Sequence, residues 1–173
     1  TKEMREFVGM QDYIKGHVSI TEGGETKDYQ TDLDWQTITR ETFYGALDKK
    51  NVKVVSAPPN LDEYMDAFIK YIKQGYAVLS MSISSKISGT YDFSCVAAKK
   101  VQEQYPDAKI YCFDAMRMAG AFGLLVIYAH LLQNEGKSFE EVIEWLEANK
   151  NRVHQMGPID DLIVIARRGR ITM

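Results

Sequence analysis

Apolar residues alternate between two periods along this chain, and the switch between them outlines the fold. Leu61, Tyr64, Met65, Phe68, Ile69 and Ile72 recur at helical spacing, Asn60 stands before them as a cap with Glu63 three residues on, and Gly75 ends the run. Residues 76–83 then form a nearly continuous apolar run of strand length, followed by a hydroxyl-rich turn over residues 84–90. The spacing predicts a helix over residues 91–104, stopped near Pro106, and a strand over residues 109–113 with Asp114 at its end. Strand, helix and strand in this order call for a parallel unit with a right-handed crossover. An apolar helix is expected over residues 116–134. Ser138 and Glu141 then make a capping box for a helix whose stripe is Phe139, Val142, Ile143 and Leu146.

The flanking regions carry weaker patterns. Residues 1–15 are polar and weakly helical, residues 17–20 suit a short strand, and Glu22-Gly23-Gly24-Glu25 is a turn signal. Residues 26–36 read as irregular or extended. Thr39 caps a short helix with Phe43 and Leu47 on one face. Residues 53–56 form a short β-branched strand that Pro58 and Pro59 stop. Near the end, residues 152–156 read as a strand and residues 159–166 as a short apolar segment before Arg167-Arg168-Gly169-Arg170. The fold class is therefore α/β, a Rossmann-like three-layer domain on a parallel sheet. Residues 1–150 are expected to form that domain and residues 151–173 to begin a second one. The absence of a recognisable opening strand and the abrupt end favour a fragment shortened at both ends.

Composition narrows the function classes. At 173 residues with 45% hydrophobic positions, the chain fits one domain or one domain and part of another. A net charge of -3 and no basic stripe interleaved with aromatics argue against a nucleic-acid partner. Cys95 and Cys112 lie in apolar stretches and read as buried thiols of a reducing, cytoplasmic compartment. Residues 1–5 carry no signal-peptide pattern. The longest apolar run, residues 118–132, contains Gly120, Gly123 and His130 and falls short of the ~20 residues that span a bilayer, so no integral membrane segment is expected.

Candidate chemistry gathers at Ser84-Ser85-Lys86-Ile87-Ser88-Gly89-Thr90-Tyr91, between a buried strand and a helix. Open α/β sheets bind ligands at this carboxyl edge. Gly89 admits close backbone approach, the first helical amides are unsatisfied, and Ser84, Ser85, Ser88 and Thr90 add hydroxyls, which together suit a carboxylate or phosphate. The same residues also describe an ordinary capped helix start. Ser56 would join the site if its strand neighbours residues 76–83; otherwise it is a turn serine bonding its own backbone. Asp114 would cap the following helix or orient the site, and capping is the better local reading. Met116, Met118, Phe122, Leu124 and Leu125 form an apolar wall, either core packing or the lining of a channel for a flexible acyl chain. A Ser88–His154–Asp114 triad lacks the Gly-x-Ser-x-Gly elbow. His17, His130 and His154 are scattered without ligand spacing, and no nucleotide loop is present, so no metal and no cofactor are expected.

An ordered set of blocks resembles the DegV family of bacterial fatty-acid-binding proteins. Ile83-Ser84-Ser85-Lys86-Ile87-Ser88-Gly89-Thr90-Tyr91 is similar to the family's Ile-Ser-Ser-x-Leu-Ser-Gly-Thr-Tyr block. Ser56-Ala57-Pro58-Pro59 resembles Thr-Ser-x-Pro, and Phe113-Asp114 resembles the Ile-Asp pair before a Gly-rich helix. Gly136-Lys137-Ser138-Phe139-Glu140-Glu141, Asp160-Asp161-Leu162 and Gly169-Arg170-Ile171 match later blocks in order. The resemblance implies the family's α/β fold and a non-enzymatic, lipid-binding role in phospholipid metabolism. A long-chain fatty acid would lie in a tunnel between two domains, its carboxylate presented to a separate fatty acid kinase. By the same resemblance, Ser88 and Gly89 contact the carboxylate with help from Ser56 and Ser85, Met116, Met118 and Phe122 line the acyl chain, and Arg170 lies near the head group or the kinase. Val55 stands where the family has threonine, Ala115 where it has serine, and Arg168 where it often has glycine. Two alternatives remain open: an enzyme on the same scaffold, hydrolase or phosphotransferase, and an interaction domain that has lost lipid binding. A chain carrying one wall of the tunnel is expected to hold fatty acid weakly by itself.

Overall fold

In the computed structural model, which describes residues 2–10, 12–159, 162–167 and 171, the chain builds two sheets of different kind. The central unit is the expected one. Strand β4, Val78–Ser82, runs parallel to β5, Ile110–Asp114, and helix α4, Thr90–Gln104, makes the crossover. Alternation along these strands feeds two cores. Val78, Ile110 and Cys112 face one side, where Tyr64 and Phe68 of α3, Leu61–Ile72, pack on Ala97, Ala98 and Val101 of α4. Leu79, Met81, Tyr111 and Phe113 face the other side. There they meet Leu125 and Ala129 of α5, Ala119–Asn134, and Val142 and Leu146 of α6, Phe139–Asn149. Helices, sheet and helices give the three layers, because a parallel strand pair must bury both faces.

Local signals set the helix ends. Asn60 Oδ1 accepts the Glu63 amide at 2.9 Å while the Glu63 carboxylate accepts the Asn60 amide at 2.8 Å. The same reciprocal box forms between Ser138 and Glu141. Thr39 Oγ1 accepts the Thr42 amide at the start of α2, Arg40–Leu47, and Gly75 takes φ +84° after α3.

The second sheet is antiparallel, a pairing the sequence reading did not include. Strands β1, His17–Glu22, and β2, Glu25–Gln30, form an antiparallel hairpin across Gly23 and Gly24, whose φ values of 60° and 89° suit a primed hairpin turn. Of residues 26–36, read as irregular or extended, residues 26–30 take the extended form and belong to a paired strand. The sequence Glu-Thr-Lys-Asp-Tyr-Gln has no apolar alternation; its pairing comes from β1, through contacts such as Ser19 Oγ with Asp28 and Thr21 with Thr26. Strand β3, Val52–Ala57, pairs antiparallel with the other edge of β1, and the order is β2-β1-β3. Val18 and Ile20 pack there on Ile38 and Ala46. A His17 Nε2–Glu63 Oε2 contact of 2.7 Å ties this sheet to the start of α3.

One further expectation is corrected. Residues 152–156 are not a strand: a 3-10 helix, Lys150–Arg152, leads into unpaired backbone, because the Val153 carbonyl accepts from the Arg117 side chain rather than from a neighbouring strand. The apolar segment at residues 159–166 contains a short helix, α7, Leu162–Arg167. Helix α1, Lys2–Val8, covers part of the weakly helical start and is held by Asn134 Nδ2, which donates to the Val8 carbonyl. No helix among the described residues is long and apolar enough to cross a membrane.

Candidate functional site

The parallel register pairs Ser82 with Asp114, so the turn after β4 and the loop after β5 emerge side by side at the carboxyl edge. Backbone bonds sew them together. The Ala115 amide donates to the Ser82 carbonyl at 3.1 Å, and the Ser84 amide to the Arg117 carbonyl at 2.9 Å. Asp114 Oδ1 accepts from the Ser85 amide at 3.2 Å and the Met116 amide at 2.9 Å. Burial raises the pKa of this carboxyl, but the Ser85 and Met116 hydrogen bonds and the charge of Lys150 outweigh it and leave the group below its ordinary value. Asp114 thus joins the two loops. It does not cap α5, whose first turn follows Met118 without a side-chain cap.

Within the turn, the Ile87 and Ser88 amides donate to the Ser84 carbonyl at 3.1 and 3.2 Å, and the Lys86 amide donates to Ser84 Oγ. Ser88 Oγ lies 2.5 Å from Thr90 Oγ1 and accepts the Thr90 amide at 3.3 Å. The Ser88 hydroxyl therefore sits at the helix start, while its amide is used inside the turn. Gly89 is the cap residue of α4, and among the described residues no acceptor takes its amide. Its φ of -74° is ordinary, and a β-carbon there would meet only the Phe93 ring at 3.7 Å, so neither backbone nor neighbours demand glycine. Met116 and Ala119, at φ 53° and 48°, hold the β5–α5 loop in the left-handed region.

A groove of about 370 Å³ opens beside this edge. Ser84, Ile87, Met116, Arg117, Met118, His154 and Gln155 line it. A larger groove of about 490 Å³ lies away from the sheet edge, between the β1–β2 hairpin and α2, and is lined by ions such as Glu22, Lys27, Glu41 and Lys49. The first groove includes Ser84 and Ile87 of the serine turn that leads into α4.

The candidates named from sequence fall in different places. Met116 and Met118 line the groove, and Ser88 and Gly89 stand at the neighbouring helix start. Ser85 is held by Asp114. Phe122 packs on the core around Leu125 and Phe113. Ser56 is exposed on β3, opposite Val18 of β1, so the condition that its strand neighbour residues 76–83 is not met. Arg170, with Asp160, Asp161, Arg168 and Gly169, lies outside the described residues. Arg117 and Gln155 were not singled out by sequence; the only signal was a cation between two methionines. The Ser88–His154–Asp114 triad is not assembled, since Ser88 bonds to Thr90 and Asp114 to backbone amides. Among the described residues no group of three His, Cys, Asp or Glu side chains is placed to hold a metal.

Comparison with known proteins adds four findings. A DegV domain-containing protein of Clostridium perfringens is 34% identical over 148 residues, covering 86% of this chain and 50% of that protein. A stearic acid-binding protein from Eubacterium ventriosum superposes with TM-score 0.70 at 28% identity, over 86% of this chain and 48% of that one. The Streptococcus pneumoniae fatty acid kinase (Fak) B3 protein, loaded with linoleic acid, superposes with TM-score 0.60 at 26% identity, over 80% of this chain and 45% of that one. The chain spans about half the length of these relatives. The model of the family described as "Uncharacterised protein, DegV family" matches residues 17–173, and the chain belongs to that family.

Proposed function

We propose that this chain is the head-group half of a protein that binds a long-chain fatty acid and presents its carboxylate to a fatty acid kinase, without itself catalysing a reaction. Residues 1–150 form the α/β domain and residues 151–173 begin a second domain that completes the tunnel. The observation that carries the reading is the open Gly89 amide at the start of α4, beside the Ser88 and Thr90 hydroxyls and next to a groove walled by Ile87, Met116 and Met118. An anion is favoured at a helix start, where free amides converge. The stearic acid-binding relative and the linoleic acid-loaded relative supply the ligand class.

Ser88 and Gly89 hold the carboxylate, with Ser85 fixing the turn behind them. Arg170 contributes from the start of the second domain, at the head group or the kinase surface. Met116 and Met118 contact the first methylenes, and Phe122 backs the wall. Each buried methylene contributes about 0.8 kcal/mol, so a long acyl chain supplies roughly 10 kcal/mol before ordering costs. The head-group site then mainly sets orientation and leaves the carboxylate available for phosphorylation.

Native mass spectrometry of the full-length protein tests this. The expected result is a co-purified mass of a fatty acid. Ser88→Ala should weaken retention roughly tenfold, the equivalent of about one hydrogen bond to a charged group. With a fatty acid kinase and ATP, acyl phosphate should form from the loaded protein and not from the protein without kinase. Unchanged retention in Ser88→Ala places the head group elsewhere; a protein that resists loading favours an interaction domain.

A further inference from the structure

His154 and Gln155, which line the groove, lie in a stretch of unpaired backbone, residues 153–155, tied to the β5–α5 loop at two points. Arg117 Nε donates to the Val153 carbonyl at 2.6 Å, and Arg117 Nη1 donates to the Met116 carbonyl at 2.7 Å. On the other side of His154, Gln155 Oε1 accepts from the Met118 amide at 3.0 Å. The Arg117 carbonyl meanwhile accepts the Ser84 amide, so one residue joins the serine turn, the β5–α5 loop and the strap. The next residue, Met156, is 100% exposed, so the tether ends where the groove ends. His154 lines the same groove as Ser84, and among the described residues it makes no hydrogen bond. Pinning a loop on both sides of one residue costs backbone entropy. Here it holds in place the backbone on either side of His154, a groove-lining residue.

We propose that Arg117 is a positioning residue that holds His154 against the groove, where the imidazole donates a hydrogen bond to the carboxylate of the ligand. This rests on the fatty-acid reading above and adds a second wall to the head-group site. The Ser84 hydroxyl, which accepts from Lys86, keeps its own hydrogen to donate to the same carboxylate.

A double-mutant cycle in the full-length protein tests the coupling, with oleate affinity measured by calorimetry. Arg117→Ala and His154→Ala are each expected to weaken oleate about tenfold, and the double variant no more than the larger single loss, because both remove the same contact. Hydrogen exchange at residues 153–156 should rise in Arg117→Ala and stay unchanged in His154→Ala. Losses that add, or oleate affinity unaffected by His154→Ala, would overturn the proposal. Should Arg117→Ala not fold, His154→Ala and His154→Gln still decide the contact with the carboxylate, since His154 is exposed and makes no hydrogen bond among the described residues. Wild-type protein that binds no oleate removes the fatty-acid reading as a whole; wild type that binds while His154→Ala binds equally well removes only the role of the strap.

Discussion

Replacing Asp114 by alanine removes the oxygen that accepts both the Ser85 amide at 3.2 Å and the Met116 amide at 2.9 Å. Hydrogen bonds to a charged acceptor contribute about 1.5–3 kcal/mol each, with the lower end appropriate for a half-buried group. Two such bonds give an expected loss of roughly 3 kcal/mol. With a urea slope of about 2 kcal/mol/M, the unfolding midpoint should fall by roughly 1.5 M. Asp114→Asn keeps a carbonyl oxygen in place and should lose only about 1 kcal/mol, the part that belongs to the charge. A pH dependence separates the two contributions. The carboxyl sits below its ordinary value in the folded protein, so its charge stabilises above about pH 4, and that contribution disappears as pH falls through the folded pKa. The gap between wild type and Asp114→Asn should therefore close on acidification. The expected assay is urea unfolding followed by circular dichroism from pH 7 downwards. An Asp114→Ala loss below about 0.5 kcal/mol, or identical losses for Ala and Asn at neutral pH, would refute the role of Asp114 as the joint between the two loops.

Leu146, with no exposed surface between α6 and the sheet, should cost about 2–5 kcal/mol on replacement by alanine, read as a lowered urea midpoint; a loss under 1 kcal/mol would contradict the packing of that layer. Burial pushes the Cys112 thiol up to about 12. Cys112 should resist iodoacetamide at pH 8 in the folded protein and react once urea unfolds it, and mass mapping of the labelled cysteine checks this. Because the folded value lies above the unfolded one, Cys112 favours the folded state fully below about pH 9, and this contribution is lost as pH rises towards 12. Labelling of native Cys112 as fast as a free thiol would contradict its burial.

Much of the central unit was legible because its signals are local. Asn60 with Glu63 and Ser138 with Glu141 satisfy helix-end amides within one turn, so three or four residues suffice to identify them. The apolar runs of β4 and β5 announce strands buried on both faces, and the helix between them fixes their parallel sense. The serine turn followed from the same logic, as the segment that must lie at the carboxyl edge.

Partnership between distant segments was not legible. Glu25–Gln30 has almost no apolar residue, and it is a strand only because β1 offers its edge. Ser56 lies on a strand, as its β-branched neighbours predicted, yet β1 captured that strand into the antiparallel sheet and left the Ser56 side chain outside the parallel one. The strap at residues 153–155 looked like a strand, but a guanidinium from 36 residues earlier took its carbonyl. A chain writes periodicity and capping into neighbouring residues, where geometry restricts the choices. Which strand pairs with which, and which side chains share a groove, depends on free-energy differences between segments far apart in sequence, and only the assembled structure decides them.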